Sequence, residues 1–100
     1  MAKKSLIERD KKRLKLYSKY QTKRINLLSK YKNADDFTLK MTIHSSLQKL
    51  PRNSSKIRIR NRCWKTGRPR GVFRDFGLSR HVFREMSHQC ILPGITKSSW

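Results

Sequence analysis

Acid is scarce in this chain: six aspartates and glutamates stand against 26 lysines and arginines in 100 residues, a formal net charge of +20. The acids are scattered and sit mostly beside bases, which excludes the paired carboxylates of acid–base catalysis. So much charge of one sign opposes compaction through self-repulsion. A polyanionic partner removes that opposition, and counterion release then drives binding. Long apolar runs are missing too; none approaches the roughly 20 residues that cross a bilayer. In MAKKSLIERD no apolar stretch or small-residue cleavage site follows the basic start, so no signal peptide is expected, and the early Glu8 and Asp10 speak against a transit peptide. Cys63 and Cys90 are too few for a disulfide framework or a four-thiolate metal site, and free thiols in a reducing compartment are expected. One hundred residues make one small domain at most.

What is present is basic charge in two blocks, residues 1–32 and 51–100. Between them Asp35 and Asp36 offset Lys40 and Lys49. In the first block Ser5-Leu6-Ile7-Glu8 fits a capping box, and Leu14/Tyr17, Leu16/Tyr20 and Leu27/Tyr31 stand three or four apart. Two helical pieces are expected, interrupted near Gln21-Thr22. Asn33 to Asp36 reads as a break with an N-cap. Leu39, Ile43, Leu47 and Leu50 then form the stripe of a packing helix that Pro51 ends, with His44 on its surface. In PRNSSKIRIR, Ile57 and Ile59 alternate with Arg58 and Arg60, a period of two that predicts an extended arm.

The run Arg62–Arg80, RCWKTGRPRGVFRDFGLSR, sets five arginines and a lysine among glycines, a proline and three aromatics, with only Asp75 opposed. Two glycines and a proline make Thr66–Gly71 a turn, and Cys63-Trp64 and Val72-Phe73 beside it are expected to pair like a hairpin. Ser79 then caps a last helix, Arg80 to His88, with Val82, Phe83 and Met86 facing inward; Pro93-Gly94 breaks the chain again. The fold class is therefore mainly α: extended N-terminal helices plus a small C-terminal module that ends in a short helix. Three segments are expected, namely residues 1–50, an extended arm 51–61, and a module 62–100. Guanidinium forks in fixed turns, with aromatic faces between them, are the parts of a surface that grips a phosphate backbone and the bases beside it.

Two chemical alternatives fail on composition. The sole nucleophile–base candidate is Cys63 with His81 or His88, and no glycine-rich phosphate loop occurs, so no enzyme, cofactor or small-molecule substrate is expected. A zinc site of the form C-x2-C-x12-C-x2-C starting at Cys63 would take its other ligands from positions 66, 79 and 82, which hold Thr66, Ser79 and Val82. Metal is not expected there. The turns of such a knuckle can persist, held by hydrogen bonds from Thr66 and Ser79 and by packing of Val82. A membrane-active helix would suit the N-terminal block alone, since the turn-rich segment has no continuous apolar face. A nonspecific nucleic-acid compactor stays open as the alternative, although arginine in an irregular, aromatic frame favours a folded RNA.

NRCWKTGRPRGVFRDFGLSRHVFRE, LPGITKSSW at the end and LPRNSS at Leu50 to Ser55 closely resemble the small-subunit ribosomal protein family numbered fourteen in the universal nomenclature, over the whole chain. Zinc-binding members of that family carry four cysteines where this chain has Cys63, Thr66, Ser79 and Val82, so the resemblance is to the form without zinc and metal is not carried over. SLIERDKKR and REMSHQCILPG look most like plastid members, which implies an organelle-encoded protein of the chloroplast stroma; a mitochondrion or bacterial cytoplasm is the alternative. The resemblance implies a zinc-knuckle-like C-terminal module lacking metal. It also implies a seat among 3′-domain rRNA helices in the head of the small subunit, beside the proteins numbered three and ten, and a role in assembly and translation.

On that basis rRNA contact is expected at Arg58, Arg60, Arg62, Lys65, Arg68, Arg70, Arg74, Arg80 and Arg84, then at Lys3, Lys4, Lys11, Lys12, Arg13 and Lys97. Trp64 and Phe73 are expected either to stack on bases or to close the knuckle, with packing favoured, and Phe76, Leu78, Val82 and Phe83 are read as core. Trp100, with no helix to hide in, is expected to pack on RNA or a neighbouring protein.

Overall fold

Thirty residues without a glycine or proline coil into one helix, α1, Lys4–Asn33. The computed structural model describes residues 2–98. No interruption occurs at Gln21-Thr22, because neither residue breaks a helix and the leucines, lysines and arginines around them favour one. The capping box does not form either. The Lys3 carbonyl already accepts from the amides of Leu6 and Ile7 at 3.0 and 3.4 Å, so the helix starts ahead of Ser5. The Glu8 carboxylate turns instead to Lys11 Nζ at 2.8 Å, and that hydrogen bond holds its pKa below the ordinary value.

By contact the chain divides into two units: Glu8–Ile59, and Met1–Ile7 together with Arg60–Trp100. In the first unit Asp36 caps α2, Phe37–Gln48, accepting from the Thr38 amide at 3.3 Å and the Thr38 hydroxyl at 2.6 Å. Such a cap stabilises a helix by about 1 kcal/mol. As expected from the spacing, α2 ends before Pro51 and the stripe Ile43, Leu47, Leu50 grows more buried toward its end, while Leu39 and His44 stay exposed. The predicted extended arm is not extended. Residues Arg52–Ser54 and Lys56–Arg58 form two 3-10 turns, closed by Ser54 N–H on the Pro51 carbonyl and Arg58 N–H on that of Ser55. Serine hydroxyls and the preset proline φ make local hydrogen bonds competitive with a ladder that has no second strand. Ile57 is left 91% exposed.

In the second unit the expected partner of Val72-Phe73 is replaced. Strand β1, Val72–Phe73, pairs antiparallel with β2, Leu78–Ser79, in the register Val72↔Ser79 and Phe73↔Leu78. Cys63 is occupied elsewhere: its amide donates to the Arg68 carbonyl at 2.9 Å and its carbonyl accepts from Gly67 at 2.7 Å, while the Trp64 amide reaches Gly77 at 3.0 Å. The tight turn thus folds back on Cys63 itself and leaves β1 to the next, shorter connection. Helix α3, Arg80–His88, follows with Ser79 at its cap position, although the serine hydroxyl makes no capping bond. Cys63, Leu78 and Val82 form the buried core, with Phe83, Met86 and Leu92 packed against it. Phe76 sits on the rim with its ring against Phe83, 5.0 Å between centroids, and Trp64 is 68% exposed rather than packed. No helix of the described residues is long and apolar enough to cross a membrane.

The end of α3 carries a strained residue. Ile91 N–H donates to the Met86 carbonyl and Cys90 N–H to Ser87, both at 3.1 Å, the paired bonds of a Schellman C-terminus. Cys90 takes the left-handed position there, at φ 54°, where glycine is favoured. Cys90→Gly should therefore raise stability by about 0.5–1 kcal/mol, measured as a rise in the urea midpoint. An unchanged or lower midpoint would mean that the side chain compensates for its backbone.

Candidate nucleic-acid interface

The frame of the arginine-rich segment is built around one sulfur. Cys63 is 1% exposed, and burial alone would push its thiol up. Donors outweigh that: the Thr66 hydroxyl and the backbone amides of Ser79, Thr66 and Lys65 bring it down to about 6. The Thr66 oxygen is itself buried and makes no well-formed hydrogen bond. Ser79 and Val82 complete the surroundings, both buried. Positions 63, 66, 79 and 82 therefore converge, but one thiol, two hydroxyls and an isopropyl group do not fit zinc, which needs four nitrogen, sulfur or carboxylate donors. The donor set can hold a thiolate and no metal.

Around that frame the expected cations fall into three groups. Arg68 and Arg70, both exposed, flank Pro69 on a shallow cleft of about 280 Å³ that Ala2 also lines, next to the exposed Lys3 and Lys4. The Ala2 amide donates to the Thr66 carbonyl at 3.2 Å, which ties the start of the chain to this turn. Arg62 and Arg74 border a second cleft of about 350 Å³ with Asn61, Val72 and Gly77. There Arg62 also stiffens the turn, since its guanidinium donates to the Gly67 carbonyl at 2.9 Å. Arg80 and Arg84 lie one helical turn apart on α3 and share a groove with Lys97. Lys65 and Arg60 are exposed outside these groups.

Residues of the Glu8–Ile59 unit behave differently. Lys11 and Lys12 are exposed on α1, Lys11 paired with Glu8. Arg13 is half-buried, 3.6 Å from the buried Asp10 carboxylate and 3.3 Å from the Arg58 carbonyl, so it braces the fold. Arg58 donates to Asn53 at 3.2 Å and lines a cavity of about 530 Å³ with Arg24 and Arg52. Sequence reasoning passed over those last two. Arg24 is set in place by Ser54 Oγ at 3.1 Å and the Pro51 carbonyl at 3.2 Å, contacts across some thirty positions that no local pattern announces. Trp100 lies outside the described residues.

Exposed guanidinium groups on a frame of hydrogen-bonded turns can bind phosphate oxygens in fixed geometry, and the open aromatic faces of Trp64 and Phe73 can stack on bases. Cys63, the thiol drawn toward its thiolate, is 1% exposed, so its sulfur is closed to solvent. Comparison with known proteins agrees with that chemistry. Residues 46–99 match the family described as Ribosomal protein S14p/S29e. The chain is 74% identical to the small ribosomal subunit protein uS14c of Phaeodactylum tricornutum, and 58% identical to that of Guillardia theta. It is 59% identical to the small ribosomal subunit protein uS14 of the cyanobacterium Trichodesmium erythraeum; each of the three alignments covers 100% of both chains. A family match over more than half the chain and full-length relatives at these identities show that the chain belongs to the ribosomal protein S14p/S29e family.

Proposed function

We propose that this chain is seated in the head of the small ribosomal subunit, where its arginine-bearing turns fix 3′-domain rRNA during assembly. Membership of the family makes it a structural constituent of the small subunit that binds rRNA and other ribosomal proteins, and not an enzyme. The observation that carries the finer reading is the placement of Arg68, Arg70, Arg74, Arg80 and Arg84, all exposed, on one small unit whose backbone is pinned at Cys63, Gly67, Trp64 and Gly77. Pinned donors lose little entropy on meeting phosphates and can select an RNA shape, which a flexible basic tail cannot do. We read this frame as a zinc knuckle that has lost its metal and keeps its turns through the donors around Cys63. The three segments divide the work: 1–50 supplies helices for RNA and protein contact, 51–61 a basic connection, and 62–100 the rRNA grip, with Lys65, Arg60, Arg58, Lys3, Lys4, Lys11, Lys12 and Lys97 as further contacts. The proteins numbered three and ten are the neighbours we assign. The higher identity to uS14c of Phaeodactylum than to cyanobacterial uS14 supports a place in a plastid ribosome, in the stroma.

Purified protein should bind small-subunit 3′-domain rRNA far more tightly than random duplex at physiological salt. Arg68→Ala with Arg70→Ala should then flatten the dependence of log K on log salt by between about one and two, as two phosphate contacts are lost. It should also deplete the protein from assembled subunits. Equal affinity for both RNAs would favour the nonspecific binder instead.

A further inference from the structure

On α3 the residues Arg80, Phe83, Arg84 and His88 recur at steps of three, one and four, which sets them on a single face of the helix. Phe83 also packs against the core with Met86, while Arg80, Arg84 and His88 are exposed. That face forms one wall of a groove of about 700 Å³; the other wall is the C-terminal stretch with Ile95 and Lys97, and Phe73 of β1 stands at its edge. The volume is that of a site for a small-molecule-sized group. Among the described residues no carboxylate lines it.

Two features of the groove ask for different things. Arg80, Arg84 and Lys97 ask for anionic oxygens. Phe73 and Phe83 offer nothing to a phosphate. Their centroids are 4.7 Å apart and their planes tilted by 43°; Phe83 also meets Phe76, 5.0 Å between centroids, while Phe73 keeps 47% of its surface open. An aromatic pair held rigid, with one ring open and three cations around it, fits a group that has a flat apolar face and an attached anion.

We infer that this groove receives one unpaired nucleotide of the RNA, its base stacked on Phe73 and its phosphates met by Arg80, Arg84 and Lys97. The inference rests on the rRNA-binding reading and adds base capture to it. A duplex backbone would leave the rings unused, since stacked bases present no face to a protein. An apolar segment of a neighbouring protein would leave three cations without partners. The unpaired nucleotide satisfies both sets of groups at once.

The test uses the full chain and 3′-domain rRNA at physiological salt. Phe73→Leu keeps apolar bulk in β1 and removes the ring. Affinity should fall by about fivefold or more with the salt dependence unchanged, and one unpaired base should gain chemical reactivity. Phe73→Tyr should restore both. Arg84→Ala and Lys97→Ala should instead each flatten the log–log salt dependence by about 0.7–0.9, and should expose the same base even if the leucine variant does not fold. Specific binding that Phe73→Leu leaves untouched overturns the groove assignment, as does crosslinking of this position, in assembled subunits, to a protein rather than a base. Wild-type chain that binds random duplex as well as rRNA overturns the ribosomal reading itself, and base capture with it.

Discussion

Replacing Thr66, Ser79 and Val82 together with cysteine should turn the surroundings of Cys63 into a zinc site. The four positions follow the spacing C-x2-C-x12-C-x2-C. They also meet in space, with Ser79 and Val82 buried around a sulfur that donors from Thr66 and the backbone already hold near pKa 6. Zinc binds thiolates, so a pocket that favours the thiolate removes much of the proton cost of coordination. Apparent zinc affinities of structural sites reach about 10–16 kcal/mol at neutral pH, far above any other single term available to so small a core. The triple variant should take up one zinc per chain by elemental analysis and give the absorption of tetrathiolate coordination with cobalt. Its melting temperature should rise with zinc and fall again with a chelator. Without metal it should be less stable than the parent, since four clustered thiols replace a packed valine. Substoichiometric zinc, or melting indifferent to chelator, would show that these positions are not arranged as a knuckle.

Gly67→Ala should strongly destabilise the C-terminal module. Gly67 sits at φ 74°, and a Cβ there would lie 2.6 Å from Ile7 Cδ1 and 2.9 Å from Ile7 Cγ1. A left-handed conformation costs an L-residue about 1–2 kcal/mol. Overpacking adds about 1–3 kcal/mol unless the neighbour can move. A loss of about 2–5 kcal/mol in urea denaturation follows from the two. Gly71→Ala separates them: φ is 59°, but the nearest atoms, on Arg80, are 3.5 Å away, so only the backbone cost of about 1–2 kcal/mol remains. Ile7→Val, which removes the Cδ1 atom, should recover part of the Gly67→Ala loss and none of the Gly71→Ala loss. Equal losses at the two glycines would mean that Ile7 moves aside freely.

The contrast between those glycines also shows what was legible from residue order. Glycine and proline punctuation gave away the Thr66–Gly71 turn, and Asp36 and the period of Val82, Phe83 and Met86 gave away two helices. These are local rules, and the chain obeys them. Misreadings came where two local rules competed. Alternation at Ile57–Arg60 lost to serine and proline turns, and the Ser5 capping box lost to a start at Lys4. Pairing partners were harder still. Nothing in Val72-Phe73 says whether Cys63-Trp64 or Leu78-Ser79 will be opposite, because both lie one short turn away. Arg13 and Arg62 were counted with the RNA-facing cations on composition, yet a carbonyl acceptor for each gives them a bracing role that only three-dimensional contacts show. The groove on α3 is an intermediate case. Its arginines were expected as contacts, while Phe83 was assigned wholly to the core.

The tie between Ala2 and Thr66 bears on the order in which the molecule is made. Residues at the start of the chain emerge first from synthesis, but their seat on the Thr66–Gly67 turn does not exist until two-thirds of the sequence has followed. The β1–β2 pairing and α3 rely on near neighbours and can form as soon as they appear. Closure of the N-terminal segment spans a long loop, and contacts of that separation form slowly. Docking of Ala2 onto the Thr66–Gly67 turn is therefore expected to follow the β1–β2 pairing and α3. Until it happens, Gly67 has no Ile7 against it, and the arginine-bearing turn is open on the side where Ala2 will lie.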